Sequence, residues 1–342
     1  MKKLIYIPIL LTLPFITSCS QAKPVKACRI DNNKNLKTFN RVYKADEFYI
    51  YYSDLANSPD KLTQTADLNK NNIPDYVENI AIQAQASRDI FKYAGFQSPL
   101  QSKRYKGQTQ IIAIFIKNLG GNGIAFEVPS IAAQIGTQEA MPCALIINLS
   151  TNLTDFPANY WTTVTHELFH LYEYGYAQFK NSWYTESLAN WSERALRVDN
   201  TTGTRKLQAL PQNSDQITAQ IFQKNYTPLW RKLFYINNTD VLTIPTTLQK
   251  QTYVDGSLVF KDNEWRGASF ILKFMQNMEK ESDLITKQRN WPEYHWAEKD
   301  QRLPEWDPII FGLIQKQLQQ PQYDQPEIRF MRTVDLKTLK SE

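Results

Sequence analysis

Residues 165–170 carry the sequence Thr165-His166-Glu167-Leu168-Phe169-His170, which contains two of the 3 histidines in this chain of 342 residues. The segment lies within Trp161–Tyr176, a mainly apolar stretch with no internal proline, and this pattern predicts a helix. Residues four positions apart share one face of a helix, so His166 and His170 would point in the same direction. The stretch therefore predicts a helix that aims two imidazoles into one cleft.

The H-E-x-x-H spacing is typical of zinc sites. Two imidazoles placed in this way can share one Zn²⁺, and the glutamate beside the first can take a proton from a water that the metal activates. The predicted chemistry is metal-assisted attack of water on a carbonyl, with Glu167 as the catalytic base. The alternative interpretation is a pair of ordinary core or surface histidines on a helix.

A zinc ion held by two histidines needs a third protein ligand. The extended pattern with a third histidine is excluded, because it requires glycine and histidine where this chain has Glu173 and Tyr176. A carboxylate from a second helix is the next option, and Glu186 is our prediction for this ligand. Glu173 is the rival ligand, and a solvated helix glutamate is the alternative interpretation of Glu186.

The segment Trp183–Arg194 predicts that second helix. Glu186, Asn190 and Glu193 are spaced i, i+4 and i+7, so they line one polar stripe. Asn190, one turn after Glu186, is expected to hydrogen bond to a ligating imidazole and set its tautomer. Glu193 is also expected to support a ligating imidazole in this way.

The H-E-x-x-H pattern with a downstream glutamate resembles the gluzincin metalloproteases. The run Trp183–Glu193 and the segment Ile73–Glu78, which reads Ile-Pro-Asp-Tyr-Val-Glu, resemble a group of bacterial secreted and lipid-anchored proteins of this kind. The resemblance covers about residues 45–280 and implies a zincin-like metalloprotease fold. It implies the zinc ligands His166, His170 and Glu186, with Glu167 as the base.

Two departures from the thermolysin-like enzymes concern the surroundings of the metal. Asn190 stands where those enzymes often have an aspartate, and no clear counterpart occurs for the histidine that stabilises their transition state. A developing oxyanion needs a donor besides the metal. Tyr184 is our prediction for this catalytic role, and the other candidates are Tyr253, Arg266 and His295. Abundant tyrosines are also expected to wall the cleft, namely Tyr172, Tyr174, Tyr176 and Tyr184.

Two apolar runs predict β-strands near the site. Gln110–Ile116 and Ala144–Leu149 are both rich in isoleucine and leucine, and Gly120–Gly123 predicts a turn between them. Either strand could form backbone hydrogen bonds to an extended peptide. The alternative for each is a plain core strand.

A second metal signal lies in Asp67–Glu78. Oxygen-bearing side chains occur at positions 1, 3, 5, 9 and 12 of a twelve-residue loop, and a backbone carbonyl falls at position 7. Asn72 replaces the glycine of position 6 and tolerates a left-handed turn. The loop predicts a structural Ca²⁺ site, with a capped turn before a helix as the alternative. Its expected ligands are Asp67, Asn69, Asn71, Ile73, Asp75 and Glu78.

The amino terminus resembles a bacterial lipoprotein signal. A short basic start is followed by the apolar run Leu4–Ile16 and by Ile16-Thr17-Ser18-Cys19. We expect cleavage before Cys19, lipidation of that cysteine, and a location in the bacterial cell envelope, at the outer membrane or cell surface. Of the 3 cysteines, Cys28 and Cys143 then remain as one possible disulfide, with two free thiols as the alternative.

The expected fold class is α+β. The signal peptide would span residues 1–18, and a lipidated tether residues 19–45. A catalytic subdomain of mixed sheet and helix, with the H-E-x-x-H helix, would span residues 46–199. A mainly helical subdomain would cover residues 200–320, and a polar tail residues 321–342.

The net charge of the chain limits the kinds of partner that the sequence supports. Without Lys2 and Lys3, the 39 basic residues become 37 against 34 acidic ones, so the net charge is about +3. This weak charge gives no argument for nucleic acid as a partner. The expected partners are a protein or peptide substrate and a lipid anchor. The sequence does not indicate an oligomeric state.

The leading functional hypothesis is a membrane-anchored zinc endopeptidase. An aminopeptidase of the same class would need extra acidic residues for the free amine of its substrate, and the sequence offers none. A surface lipoprotein that keeps a zinc-peptidase fold only for binding is the third hypothesis. The intact Glu167 argues against this third hypothesis.

Overall fold

One mixed β-sheet organises the molecule. The structure, a computed structural model, describes residues 28–30, 34–132, 135–136, 141–158, 161–197, 209–224, 227 and 229–339. The predicted signal peptide, Cys19 and the first part of the predicted tether lie outside the described residues. The α+β class is confirmed.

The sheet contains six strands that pair in the order β1-β5-β6-β4-β3-β2. Strands β3, β4 and β6 run parallel to one another, whereas β2 and β5 are antiparallel to their neighbours β3 and β6. β4 is buried over nearly its whole length, which accounts for its continuous apolar sequence. The strands are β1 (Arg29–Ile30), β2 (Arg41–Ala45), β3 (Phe48–Tyr52), β4 (Ile111–Lys117), β5 (Gly123–Ala132) and β6 (Met141–Ser150).

One α-helix, α1, lies between β3 and β4 in the chain, and the other described α-helices follow β6. The strands β7 (Val241–Thr243) and β8 (Glu264–Arg266) form a separate two-stranded sheet. Among the described residues, no helix combines the length and apolarity needed to cross a membrane. The α-helices are α1 (Asp75–Tyr93), α2 (Thr163–Tyr176), α3 (Ser182–Ser192), α4 (Ser214–Ile217), α5 (Leu229–Ile236), α6 (Thr246–Gln249), α7 (Ala268–Gln288), α8 (Glu298–Gln301), α9 (Trp306–Leu318) and α10 (Arg329–Thr333). Short 3-10 segments lie at Lys34–Thr38, Pro99–Gln101, Glu193–Ala195, Pro321–Tyr323 and Leu336–Thr338, and a π-helical turn at Thr218–Phe222.

The main hydrophobic core lies between the sheet and the helices. Helices α1 and α2 pack on one face of the sheet, and the same cluster of buried side chains continues to α7 and α9. A smaller cluster covers the other face, where Tyr51 stacks on Phe115 and Phe39 meets Phe115 edge-on. Because α2 is held between the sheet and α3, its polar face is left at the edge of the sheet beside β5.

A buried polar anchor sets the start of α3. The Asp307 carboxylate on α9 accepts hydrogen bonds from the Asn181 amide at 2.6 Å and from the Trp183 indole at 2.7 Å. Burial raises the pKa of Asp307 more than the hydrogen bonds from Trp183 and Asn181 lower it, so that the pKa is about 6. The anchor connects the carboxyl-terminal part of the chain to the helix that carries Glu186.

Two predicted boundaries differ from the structure. The expected tether enters the sheet, because β1 pairs with β5 and β2 pairs with β3. The expected polar tail folds back onto the core, with Tyr323, Ile328 and Met331 buried. In both segments the few apolar residues are spaced so that they reach the core, and a composition rich in polar residues hides that spacing.

Cys28 and Cys143 form a disulfide, with 5.9 Å between their Cα atoms. The bond joins the residue before β1 to β6, across a sequence separation of 115 residues. A cross-link that closes so long a loop removes much of the conformational freedom of the unfolded chain. The covalent link therefore fixes the outer edge of the sheet.

Replacing both cysteines by serine should lower the free energy of unfolding by about 2–4 kcal/mol, because the loop is released in the unfolded state. Denaturant unfolding measured by circular dichroism gives this value. Wild-type protein treated with a reductant is the matched control and should unfold like the double variant. Equal unfolding midpoints for the oxidised wild type and the double variant would contradict the prediction.

Candidate metal centre

Helices α2 and α3 bring two histidines and a glutamate together. His166 and His170 lie one turn apart on α2, with 4.8 Å between their ring centroids. The Glu186 carboxylate on α3 lies 3.3 Å from Nε2 of His166 and 3.7 Å from Nε2 of His170. The candidate ligand atoms all lie within 4.8 Å of one another, so the group can hold a metal ion.

A carboxylate contacts the other nitrogen of each imidazole. Nδ1 of His166 lies 2.8 Å from Glu193, and Nδ1 of His170 lies 2.7 Å from Glu173. When each Nδ1 carries the proton and donates it to its carboxylate, each Nε2 presents a lone pair to the space beside Glu186. The donor set of two imidazole nitrogens and one carboxylate oxygen is thus oriented for a cation.

Of the two side chains predicted to hydrogen bond to an imidazole, Glu193 does so and Asn190 does not. Glu193 contacts His166 as expected, and it is held in place by Thr162 at 2.6 Å and Arg197 at 2.8 Å. The Asn190 amide instead donates to the Glu186 backbone carbonyl on its own helix, at 3.0 Å. Our prediction that Asn190 contacts an imidazole is therefore wrong, because its side chain turns back along α3.

Glu173, the rival candidate for the third ligand, does not lie where a metal ligand would be needed. It lies three residues after His170, and its carboxylate meets the Nδ1 edge of that ring rather than the Nε2 edge. Burial, with the charges of Glu186 and Glu167, raises the pKa of Glu173 well above its usual range. A cation between the imidazoles would oppose this shift, because it attracts the carboxylate form.

Glu167 lies between the metal group and strand β5. Its side chain is buried, and the backbone amide of Ala125 hydrogen bonds to its carboxylate. Burial raises the pKa of Glu167 to about 7, with the His166 charge opposing the shift and the Glu186 charge adding to it. A Cβ atom at Gly123 would lie 2.7 Å from the Glu167 side chain, so only glycine at this position leaves room for the carboxylate.

Tyr184 does not reach the metal group. Its side chain is 1% exposed, and its hydroxyl donates to the Phe179 carbonyl. Each residue advances a helix by about 100°, so Tyr184, two positions before Glu186, points to the opposite side of α3. Our prediction that Tyr184 faces the reacting group is therefore not supported.

The other three candidate donors also lie elsewhere. The Tyr253 hydroxyl accepts a hydrogen bond from Gln83 at 2.6 Å, and Arg266 pairs with Glu264 at 2.7 Å. His295 lines a separate cavity. The sequence could not show whether these three residues reach the metal group, because each of them is far from α2 in the chain.

A cleft of about 1020 Å³ opens from the metal group along β5. Tyr174 lines this cleft, and its ring stacks on His170 with 6.1 Å between the centroids. The residues His166, His170 and Tyr174 follow each other at intervals of four along α2, a signal that the sequence does contain. Of the four tyrosines expected in the wall, Tyr174 is the one that lines the cleft among the described residues.

The edge strand beside the metal group is β5. The two strands predicted for this place, now β4 and β6, each have neighbours on both sides and are interior. β5 pairs with β6 on one side and with β1 only at Ser130 and Ile131 on the other. The backbone edge of Gly123–Phe126 therefore has no strand partner among the described residues.

The predicted calcium loop adopts a turn immediately before α1. The Glu78 carboxylate accepts hydrogen bonds from the amides of Asn69 at 3.0 Å and Asn71 at 2.7 Å, and the Asp67 carboxylate accepts from backbone amides. Asn72 has the left-handed conformation that position 6 requires, with φ of 68°. The Asp75 carboxylate accepts a hydrogen bond from the backbone amide of Leu68, at the start of the same loop. Ca²⁺ binding stays a prediction.

No protein-family model and no curated protein matches this chain. Functional inference therefore rests on the geometry of the site. Two features of that geometry have chemical meaning: a preorganised donor set for a cation, and a buried glutamate placed beside the open edge of a strand.

Replacing Glu173 by glutamine should weaken metal binding by about 10- to 100-fold, because the imidazole of His170 loses its negatively charged partner. Competition against a chromophoric chelator measures the dissociation constant. Glu327→Gln is the matched control, since Glu327 is exposed and lies away from the cleft. Identical dissociation constants for Glu173→Gln and the control would show that this partner does not support the ligand.

Proposed function

We propose that this protein is a zinc-dependent endopeptidase of the gluzincin class with a zincin-like fold. The convergence of His166, His170 and Glu186, with Glu167 in the same cleft, is the observation that carries this proposal. Imidazole nitrogens and a carboxylate oxygen are ligands that suit Zn²⁺, and a catalytic zinc keeps one position for water or substrate. The volume of the cleft leaves space for both.

The protein residues divide the chemistry of peptide hydrolysis among them. Zinc held by the three ligands would act as a Lewis acid towards water and the peptide carbonyl. Glu167 accepts a proton from the attacking water and returns it to the leaving amine. The Ala125 amide orients this carboxylate, and Gly123 leaves it room beside the edge strand.

The open edge of β5 favours an extended polypeptide as the substrate. Among the described residues, Gly123–Phe126 has no strand partner on this edge, and a peptide strand can add there through main-chain groups other than the Ala125 amide, which binds Glu167. Such pairing recognises the backbone of any sequence and places a peptide bond beside Glu167. The cleft continues along this strand to Val128, so residues on the substrate beyond the reacting bond also find a binding surface.

Tyr174 is the donor that we propose for the developing oxyanion. It lies one turn beyond His170, lines the cleft, and its hydroxyl has no hydrogen bond to the described residues. Burial raises the pKa of Tyr174 well above its usual range, so the hydroxyl keeps its proton. A neutral phenol that is free to donate suits a negative charge that forms only in the transition state.

Two other functions fit the site less well. An aminopeptidase needs a carboxylate that holds the substrate amine, but Glu127 in the cleft is neutralised by Arg104 at 3.0 Å and Lys180 at 2.9 Å. Glu298 also lines the cleft, but the cationic Arg302 lies one turn further along the chain and opposes the binding of an amine there. A protein that only binds peptides would not need a buried glutamate directed at the metal group. Lipid anchoring at Cys19 and a location in the cell envelope stay predictions.

Glu167→Gln should lose at least about 100-fold in kcat on a denatured protein substrate, because glutamine cannot accept the proton. Metal analysis of the wild type should give one zinc per chain, and the variant should keep its zinc. Glu327→Gln serves as the control and should cleave like the wild type. A folded wild type without zinc, or undiminished cleavage by Glu167→Gln, would refute the mechanism.

Tyr174→Phe should lower kcat by about 100- to 1000-fold with little change in KM, because the lost hydrogen bond acts on the transition state. Steady-state kinetics on a fluorogenic peptide separates the two constants. Tyr184→Phe is the matched control: it removes a buried hydroxyl from α3 and should leave kcat unchanged. Loss of kcat in the control, but not in Tyr174→Phe, would return the donor role to Tyr184.

A further inference from the structure

Arg302 is a cationic side chain in the wall of the cleft that contains the metal group. It follows directly after α8 and lines the same cleft as His166, His170 and Glu186. The side chain is exposed, and it has no hydrogen bond or ion pair with the described residues. A guanidinium in such a place is available to a ligand.

The backbone beside Arg302 is firmly held against the wall of the cleft. Gln301 is fully buried, its carbonyl accepts the Lys180 amide at 2.8 Å, and its side chain donates to Glu127 at 3.2 Å. These contacts join α8 to β5 and to the segment between α2 and α3. Arg302 therefore projects from a fixed support, which reduces the entropy lost when its side chain binds a ligand.

Two other cations in and behind this wall already have a carboxylate partner. Arg104 and Lys180 both bind Glu127, at 3.0 Å and 2.9 Å, and Arg104 also donates to the Tyr174 carbonyl. A third cation, Lys117, lies over the rings of Phe39 and Phe115 on the other face of the sheet. Lys117 also lines the cleft without a carboxylate contact, but those two rings engage its ammonium group. Arg302 is thus the cation of the cleft for which the described residues provide neither a carboxylate nor a ring partner.

Two acidic groups near Arg302 limit what it can do alone. Glu298, one turn earlier, is exposed in the same cleft, but it forms no ion pair with Arg302 among the described contacts. The Glu186 carboxylate contacts the imidazoles of His166 and His170, at 3.3 Å and 3.7 Å, and forms no ion pair with Arg302 among the described contacts. A metal ion would bind the Glu186 carboxylate together with the imidazoles, so neither acidic group occupies the guanidinium of Arg302.

Resting on the proposed peptidase function, we infer that Arg302 binds a carboxylate of the substrate close to the scissile bond. A guanidinium offers parallel N–H donors that match the two oxygens of a carboxylate. An acidic side chain of the substrate and its free carboxyl terminus present the same chemistry. The enzyme would then select peptides that carry a negative charge next to the cleaved bond.

Matched peptides distinguish these two sources. One pair differs by glutamate or glutamine on either side of the cleaved bond, and a second pair differs by a free or amidated carboxyl terminus. The wild type should prefer one charged peptide by about 10- to 100-fold in kcat/KM, as expected for hydrogen bonds to a charged group. The pair that shows the preference identifies the source.

Arg302→Gln should abolish that preference while its kcat/KM for the neutral peptide stays within about threefold of the wild type. Arg302→Lys should restore part of the preference, because it keeps the charge but loses the paired donors. Lys299→Gln is the matched control, since it removes a positive charge from the same helix at a position that does not line the cleft.

An unchanged preference in Arg302→Gln, or no preference in the wild type, would overturn the inference. If the wild type cleaves no peptide, the proposed function fails. Fluorescence anisotropy of the same labelled peptides with zinc-loaded protein then tests Arg302 separately. Tighter binding of the charged peptide to the wild type, but not to Arg302→Gln, would support carboxylate recognition without catalysis, and equal binding would overturn it.

Discussion

The contact between each imidazole and a buried carboxylate is the interaction on which the rest of the site depends. Without Glu173 and Glu193, both rings could rotate or exchange tautomers, and neither Nε2 would be fixed towards Glu186. The two carboxylates come from different places, since one lies on α2 itself and the other follows α3. The packing of α3 against α2 therefore decides not only the third ligand but also the orientation of the first. The Asp307 anchor, which holds the start of α3 from α9, connects this geometry to the carboxyl-terminal part of the chain.

A second constraint is steric and acts at the edge of the sheet. Glu167 can occupy its position because Gly123 carries no side chain, and the same glycine begins the strand whose edge is open. The proposed base and the proposed surface for an extended peptide therefore both depend on one close approach between α2 and β5. The two helices α2 and α3 carry the donor set, while the sheet supplies the backbone along which a substrate would lie. The proposed activity on extended chains rests on this division more than on any single residue.

The sequence predicted well what depends on local spacing. The positions of α2 and α3, the cluster of His166, His170 and Glu186, and the contact of Glu193 all follow from helical periodicity. Predictions failed where orientation depends on packing between distant elements. Tyr184 has the right neighbours in the chain, but it lies on the buried side of α3, and Asn190 turns to its own backbone. The order of strands was also inaccessible, because apolar runs such as β4 and β6 read alike whether they lie inside a sheet or at its edge.

The disulfide has a mechanical consequence. β1 is only two residues long, so its hydrogen bonds to β5 would yield first if the segment before Cys28 were pulled. The Cys28–Cys143 bond bypasses that weak pairing and transmits the load directly into β6, which is flanked by β5 and β4 in the interior of the sheet. Tension on the amino-terminal segment is thus borne by a covalent bond, by the continuous ladder between β6 and β4, and by the interrupted ladder between β6 and β5. The strand that borders the metal group keeps its register under such a load.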